Sequence, residues 1–300
     1  MSDFRCSPAS RAIGESMDGT ASTVSAFLLV ETSAGWGIDA VADARLDPEV
    51  RRRLLALAGS GVRPLLIRGH GRQSTSRFRV FAAHVAPVDA AGARPPWIET
   101  VELKDPRELL DLSLDGLAVG TSPGLAPYDE PLLCVCTHGR HDACCAELGR
   151  PLSRAMHAVA PEHTWEVSHI GGDRFAPNVL VLPHGLYYGR LDPAGAADFV
   201  AAVLRGELDL EHLRGRSSMP MAAQAAEIFL RRLVGHLDDA PLPVLEHERT
   251  GEESRLVFVV AGDRWEVRIR TTRFEPRQLT CRAETLSTGP EHRLVGINPA

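Results

Sequence analysis

Residues 132–145 read Leu-Leu-Cys-Val-Cys-Thr-His-Gly-Arg-His-Asp-Ala-Cys-Cys, and this stretch decides the fold of the middle of the chain. Its first five residues form a short apolar run, which predicts a buried strand that ends at Cys136. The polar residues that follow predict a loop, and a helix is expected over about 144–159. A strand, a loop and a helix in this order allow the sulfurs of Cys136 and Cys145 to point at the same space.

The cysteines of this chain are unevenly distributed. Four of the six lie within residues 134–145, so random placement is a poor explanation. His169 follows about two dozen residues later, beside Gly171 and Gly172. Soft thiolates together with an imidazole are a ligand set for an iron–sulfur cluster or for zinc.

The predicted connections suit such a site. His169 is expected to end the next strand, which lies beside the first strand if the β-α-β unit is parallel and right-handed. Asp142 is expected to cap the helix, whose N-terminus stabilises negative charge. Gly139, Gly171 and Gly172 are expected to let the backbone approach inorganic sulfides and donate N–H bonds to them.

The order of these motifs carries a family resemblance. Cys-x-His-Gly-x-x-Asp-x-x-Cys at 136–145 is followed by His-x-Gly-Gly-x at 169–173, Asn-Val-Leu-Val-Leu-Pro at 178–183 and Tyr-Gly at 188–189. In this order they resemble the sucrase/ferredoxin-like family, whose members are thioredoxin-like [2Fe–2S] proteins. The resemblance covers most of the chain and is looser at the ends, where it depends on Cys-Ser-x-x-Ser at 6–10, Gly-Thr-Ala at 19–21 and Leu-Thr-Cys at 279–281.

The resemblance implies a set of cluster ligands, with one departure. Cys136, Cys145 and His169 match three of the family's ligand positions. Eukaryotic members have His-x-Gly-Gly-His and use both histidines on the cluster, whereas this chain has Asp173 in the second position. We therefore expect the three matching residues and Asp173 to hold a [2Fe–2S] cluster.

Position 173 leaves three alternatives open. In the first, Asp173 ligates the second iron through an oxygen atom. In the second, Asp173 forms a salt bridge with Arg174, and Cys144, His138 or a nearby residue supplies the fourth ligand. In the third, the cluster has been lost and the fold is a relic.

The other cysteines and histidines are expected to be structural. Cys134 is expected in the core, and Cys144 is expected to face away from the site. Cys6 and Cys281 are isolated in the sequence and are expected to be structural. The other histidines are expected to shape the loop (His138), to be solvated (His141) or to be ordinary surface and core residues (His70, His84, His157, His163 and His184).

Apolar runs and Asp-Pro helix starts predict the same order of elements, β-α-β-β-β-α, in two segments. We therefore predict an α/β fold in which residues of about 20–115 and 128–208 are two copies of one thioredoxin-like unit. The first copy has Thr-Ser-Ala-Gly-Trp-Gly at 32–37 where the second has its cysteines, so it cannot bind the same metal. Its Gly-His-Gly at 69–71 corresponds to the segment that begins at His169. The alternative is chance similarity, since short patterns of this kind are common.

Composition shifts suggest three regions. Residues 1–115 are predicted to form an N-terminal thioredoxin-like unit without ligands, 116–210 the unit with the metal site, and 211–300 a small α+β appendage. Linkers are predicted at 86–96 and 116–130 from their Pro, Gly and Ala content. In the last region we predict a helix capped by Ser218, several strands that include 278–282, and a hairpin turn at 261–263.

Bulk properties narrow the class of partner. The chain has 300 residues and a net charge of −6, so neither nucleic acid nor an anionic membrane is expected as a partner. No apolar stretch is long enough to span a membrane, and the N-terminus lacks an apolar signal core, so a cytoplasmic protein is expected. Thiols stay reduced there, which favours a metal or redox role over disulfides.

The function predicted from these observations is electron transfer rather than catalysis. No GxGxxG follows a strand and no P-loop is present, so single electrons would pass between partner proteins whose identity the sequence does not reveal. An alternative is a zinc-binding or thiol-redox protein on the same scaffold, although Cys-x-x-Cys is missing. A remote alternative is a sucrose-type glycoside hydrolase, which needs two carboxylates across a sugar subsite. The aromatic content of 5% is poor for sugar binding.

Overall fold

The computed structural model describes residues 4–70, 77–85 and 95–300. Within these residues the strands form a ten-stranded mixed sheet and a four-stranded antiparallel sheet. The helices are α1 Cys6–Ala12, α2 Pro48–Gly59, α3 Ala143–Val159, α4 Ala196–Leu204 and α5 Met221–Val234. None of the helices in this part of the chain combines the length and apolarity needed to cross a lipid bilayer.

The strands of the large sheet are β1 Ala26–Glu31, β2 Val62–Gly69, β3 Phe78–His84, β4 Trp97–Leu103, β5 Ala126–Pro127, β6 Leu132–Cys136, β7 Thr164–Val167, β8 Asn178–Leu182, β9 Leu186–Gly189 and β10 Leu213–Arg216. The small sheet contains β11 Val244–Thr250, β12 Glu253–Val260, β13 Asp263–Arg273 and β14 Pro290–Pro299. Short 3-10 helices occupy Pro106–Asp111, Leu117–Val119, Asp173–Phe175 and Pro193–Gly195.

The two halves of the large sheet have the same strand order. In the first half β1 pairs in parallel with β2 and antiparallel with β3, which pairs with β4. In the second half β6 pairs in parallel with β7 and antiparallel with β8, which pairs with β9. An antiparallel contact between β2 and β7 joins the halves. The predicted α/β class is confirmed, while the domain boundaries and the duplication stay predictions.

Both faces of the large sheet are covered. Leu133 and Val135 of β6 face a core formed with α3 and α4. Cys134 and Cys136 face the opposite way, into a core that strands of both halves share. A strand buried on both faces reads as a continuous apolar run rather than an alternating one, which is why β6 was recognisable in the sequence. Cys134 is therefore a core residue, as predicted.

Two local predictions were wrong, and one short helix was not predicted. The first twenty residues contain α1, because this short helix depends on packing against Asp173–Phe175 rather than on its own periodicity. Helix α5 starts at Met221 without a side-chain cap, so Ser218 is not its N-cap. Residues 278–282 form bends and turns instead of a strand. Most of the predicted linker at 86–96, and Gly71, lie outside the described residues.

Helix α5 packs on the small sheet and carries a buried charge cluster, so the predicted α+β character of this region is confirmed. Glu227 lies 2.9 Å from the guanidinium of Arg231 and 3.6 Å from that of Arg216. All three side chains are at most 3% exposed. Burial alone would raise the pKa of Glu227, but the charges of Arg216 and Arg231 outweigh it and lower the pKa.

Replacing Glu227 with Gln should destabilise the protein by about 3–5 kcal/mol, because two buried guanidinium groups lose their counter-charge. Chemical denaturation at neutral pH measures this free energy. The stabilisation is present above the ordinary carboxyl pKa of about 4.3 and is lost as the pH falls through the lower folded-state pKa. Glu253→Gln, in an exposed pair with Arg270, should cost less than about 1 kcal/mol. Equal effects of the two substitutions would contradict the prediction.

Candidate metal centre

The end of β6 and the start of α3 place two thiols face to face. Cys136 is the last residue of β6, and Cys145 lies in the first turn of α3. The Asp142 carboxylate caps α3 by accepting a hydrogen bond of 2.9 Å from the backbone N–H of Cys144, as predicted. The cap fixes where the helix begins and therefore where Cys145 points.

Gly149 sets the distance between the helix and the strand. A Cβ atom at this position would overlap the carbonyl oxygen of Cys136, so only glycine allows α3 to pack this closely against the end of β6. The site therefore depends on a glycine outside the motif that revealed it.

The structure brings the four predicted ligands together. The ligand atoms of Cys136, Cys145 and His169 lie within 4.8 Å of one another. An oxygen of Asp173 is 3.3 Å from the sulfur of Cys145 and 2.9 Å from Nδ1 of His169. The two cysteines and Asp173 are buried, while the His169 side chain is 24% exposed.

Hydrogen bonds and neighbouring charges shift the pKa values of all four candidate ligands. A hydrogen bond from Cys145 lowers the pKa of Cys136 well below its ordinary value against the opposing effect of burial, and His169 lowers it further. The same hydrogen bond raises the pKa of Cys145. Burial alone would lower the pKa of His169, but Asp173 and Cys136 raise it to about 9. The pKa of Asp173 is lowered by His169 in spite of burial.

These donor atoms fit a metal or an iron–sulfur cluster. Two thiols, an imidazole and a carboxylate are ligands for iron and for zinc. Nδ1 of His169 is buried and lies 2.9 Å from an oxygen of Asp173, so the imidazole and the carboxylate stabilise each other. The fit to a metal centre therefore rests on the types of the four donor groups and on their closeness.

Two parts of the second alternative for position 173 are wrong. Arg174 forms its ion pair with Glu15, at 2.8 Å, rather than with Asp173. The sulfur of Cys144 points away from the site, towards that of Cys281 at 3.4 Å. Cys144 is therefore not available as a fourth ligand, and its predicted orientation away from the site is confirmed.

His138 is also excluded as a ligand because both of its ring nitrogens are engaged. Nε2 lies 2.7 Å from the carbonyl oxygen of Gly37, and Nδ1 accepts a hydrogen bond from the backbone N–H of His169. Burial lowers the pKa of His138, consistent with a neutral ring that donates through Nε2. The predicted role in shaping the loop agrees with these contacts.

His141 is part of the site, which the sequence did not predict. Its ring stacks on that of His169 with 3.7 Å between the ring centres, and Nε2 lies 3.8 Å from an oxygen of Asp173. His141 is a loop residue with a side chain 34% exposed, as expected, but its ring also lies over that of His169. The only signal in the sequence was its position one turn before Cys145.

Backbone conformation and close packing explain why glycine occupies three positions of the site. Gly171 and Gly172 adopt positive φ angles, and a Cβ on Gly172 would overlap the guanidinium of Arg214. A Cβ on Gly139 would lie 2.6 Å from that of Ala146. Arg214 is fully buried and donates to the carbonyl oxygen of Gly171, which fixes the segment that carries His169 and Asp173. The predicted contacts of these glycines with sulfides stay predictions.

The first half of the chain covers the site although it supplies no cysteine to it. The carbonyl oxygens of Gly37 and Ile38 lie within hydrogen-bond distance of the rings of His138 and His141. Trp36 lies edge-on to His138. In the first half, the Gly-Trp-Gly loop stands at the position where the second half has its cysteines. In the structure this loop covers the candidate metal site of the second half.

Sequence comparison assigns the family. The profile of the sucrase/ferredoxin-like family matches residues 17–215, well over half of the chain, and the chain belongs to this family. No curated protein matches at a significant level. Among solved structures, a thioredoxin-like [2Fe–2S] ferredoxin from Aquifex aeolicus aligns with 31% of this chain and 97% of its own, at 18% identity and a TM-score of 0.27. The family assignment depends on the sequence match alone.

Gly149→Ala should lower both the stability and the metal content of the protein, because α3 must move away from β6 to admit the methyl group. Overpacking of this kind costs about 1–3 kcal/mol. Thermal unfolding and metal analysis of the purified protein measure the two effects. Gly59→Ala at the end of α2 is the matched control, because its Cβ would meet no other atom within 4 Å. A Gly149→Ala protein with unchanged metal content and stability would contradict this role.

Proposed function

We propose that the protein carries single electrons between partner proteins by means of a [2Fe–2S] cluster. The observation that supports this most directly is the convergence of two buried thiols, an imidazole and a carboxylate at one end of the large sheet. The proposed ligands are Cys136, Cys145, His169 and Asp173. The cluster would supply a one-electron couple.

The residues of the site differ in their exposure to solvent. Cys136 and Cys145 are each 1% exposed and hold their ligand atoms away from water. His169 and His141 are the partly exposed edge, with side chains 24% and 34% exposed. We therefore propose that a partner protein docks over these two rings, which are the solvent-exposed part of the site.

A mononuclear zinc site is the second candidate. Its support is that the ligand atoms of Cys136, Cys145 and His169 all lie within 4.8 Å of one another, a spread that one tetrahedral ion also accepts. Such a site would have no redox chemistry of its own, and the protein would then act as a scaffold.

The absorption spectrum of anaerobically purified protein separates the two candidates. Bands between about 320 and 550 nm that dithionite bleaches, with near-equal iron and acid-labile sulfide, are expected for the proposed cluster. A colourless protein that holds zinc at these residues, even after reconstitution with iron and sulfide, would sink the electron-transfer proposal.

Asp173→Ala should abolish the cluster, whereas His141→Ala should retain it with a shifted potential. The two side chains face the same space, but Asp173 is the one in contact with both Cys145 and His169. Iron content and absorbance of the two variants are the measurement. Asp173→His should bind a cluster again, because imidazole replaces the carboxylate. Loss of the cluster in His141→Ala but not in Asp173→Ala would move the fourth ligand to His141.

The reduction potential should lie above the roughly −400 mV of plant-type ferredoxins with four cysteines, because nitrogen and oxygen ligands replace two thiolates. Asp173→His should raise the potential further, since the carboxylate is more anionic than imidazole. A redox titration followed by absorbance measures both values. A wild-type midpoint at or below −400 mV is the result that contradicts the proposed ligand set.

A further inference from the structure

A second group of thiols lies on the other side of the N-terminus of α3. The sulfur of Cys281 is 3.4 Å from that of Cys144 and 3.6 Å from that of Cys6. All three side chains are buried, and no disulfide joins them. The sequence suggested that Cys6 and Cys281 are isolated, but the fold brings both of them next to Cys144.

Asp142 completes this group with a buried carboxylate. Its two oxygens lie 3.6 and 3.7 Å from the sulfur of Cys6 and accept backbone hydrogen bonds from Cys144 and Cys281. The residue is 0% exposed, yet it makes no ion pair with any residue of 4–70, 77–85 or 95–300. These hydrogen bonds and the N-terminus of α3 favour a carboxylate at this buried position, and a bound cation would add to that stabilisation.

The spacing of the four groups fits one tetrahedral ion. The ligand atoms of Cys6, Asp142, Cys144 and Cys281 all lie within 4.8 Å of one another. Zinc–sulfur bonds of about 2.3 Å in a tetrahedron put the sulfurs about 3.8 Å apart, close to the separations in this structure.

The surroundings of the group indicate what a metal would stabilise. Cys6 begins α1, Cys144 lies in the first turn of α3, and Cys281 lies in the long connection 274–289 between β13 and β14. Long connections without helices or strands are uncommon unless something anchors them. The apolar contacts around the three thiols are few, chiefly Ala176, Phe4, Ala143 and Leu148. A cavity of about 210 Å³ is lined in part by Cys6.

We propose that Cys6, Cys144, Cys281 and Asp142 form a closed structural site for a single zinc ion. The ion would join the N-terminal helix, the helix of the candidate cluster site and the C-terminal region. This site does not depend on the proposed electron-transfer function, because Cys144 and the neighbouring Cys145 point into different spaces.

Metal analysis of the full-length chain tests the proposal in a background without the first site. The double variant Cys136→Ser/Cys145→Ser should retain about one zinc per chain, because none of the four proposed zinc ligands is changed. Adding Cys281→Ser should reduce zinc at least tenfold, whereas adding Cys134→Ala, a buried thiol of the core, should leave it unchanged. Less than a tenth of a zinc in the double variant, or zinc insensitive to Cys281→Ser, would overturn the proposal.

X-ray absorption at the zinc edge of the wild-type protein gives an independent test if the variants do not fold. Three sulfur ligands near 2.3 Å and one oxygen near 2.0 Å are expected, without an imidazole signal. An imidazole signal would place the zinc at His169 instead. A disulfide between Cys144 and Cys281, detected by mass spectrometry of the purified protein, would equally refute the site.

Discussion

The close approach of α3 to the end of β6 is the contact on which the rest of the site depends. Gly149 permits it, since any side chain would collide with the backbone of Cys136. The cap at Asp142 then fixes the rotation of the first turn of α3. Neighbouring residues of a helix point in directions about 100° apart, so Cys145 faces Cys136 while Cys144 faces the opposite side. The N-terminus of α3 therefore contributes one cysteine to each of two separate groups of thiols.

Charged side chains connect the two halves of the large sheet. Glu166 of β7 accepts hydrogen bonds from Arg68 of β2 and from Thr137 of the loop after β6. Arg68 in turn lies over the ring of Trp36. The antiparallel pairing of β2 with β7 thus brings the covering loop of the first half onto the histidines of the second. These contacts hold the first half of the sheet, which supplies no candidate ligand, against the second half.

The elements of the large sheet were largely predictable because their signals are local. Uninterrupted apolar runs gave the strands, and Asp-Pro pairs gave the starts of α2 and of the 3-10 helices at 106–111 and 193–195. The convergence of Cys136, Cys145 and His169 was predictable as well, since a strand, a short loop, a helix and the adjacent parallel strand restrict where those residues can lie. Local signals failed at α1 and at 278–282, where packing against distant residues decides the conformation.

By itself the sequence determined the α/β class, the order of most strands of the large sheet along the chain, and which residues are candidate metal ligands. Only the tertiary structure decided that Asp173 pairs with His169 rather than Arg174, that His141 stacks on the site, and that the Gly37 loop covers it. It alone brought Cys6 and Cys281 to Cys144. Contacts between residues more than a hundred positions apart follow from how helices and sheets pack, and no periodicity or spacing within a single sequence records them.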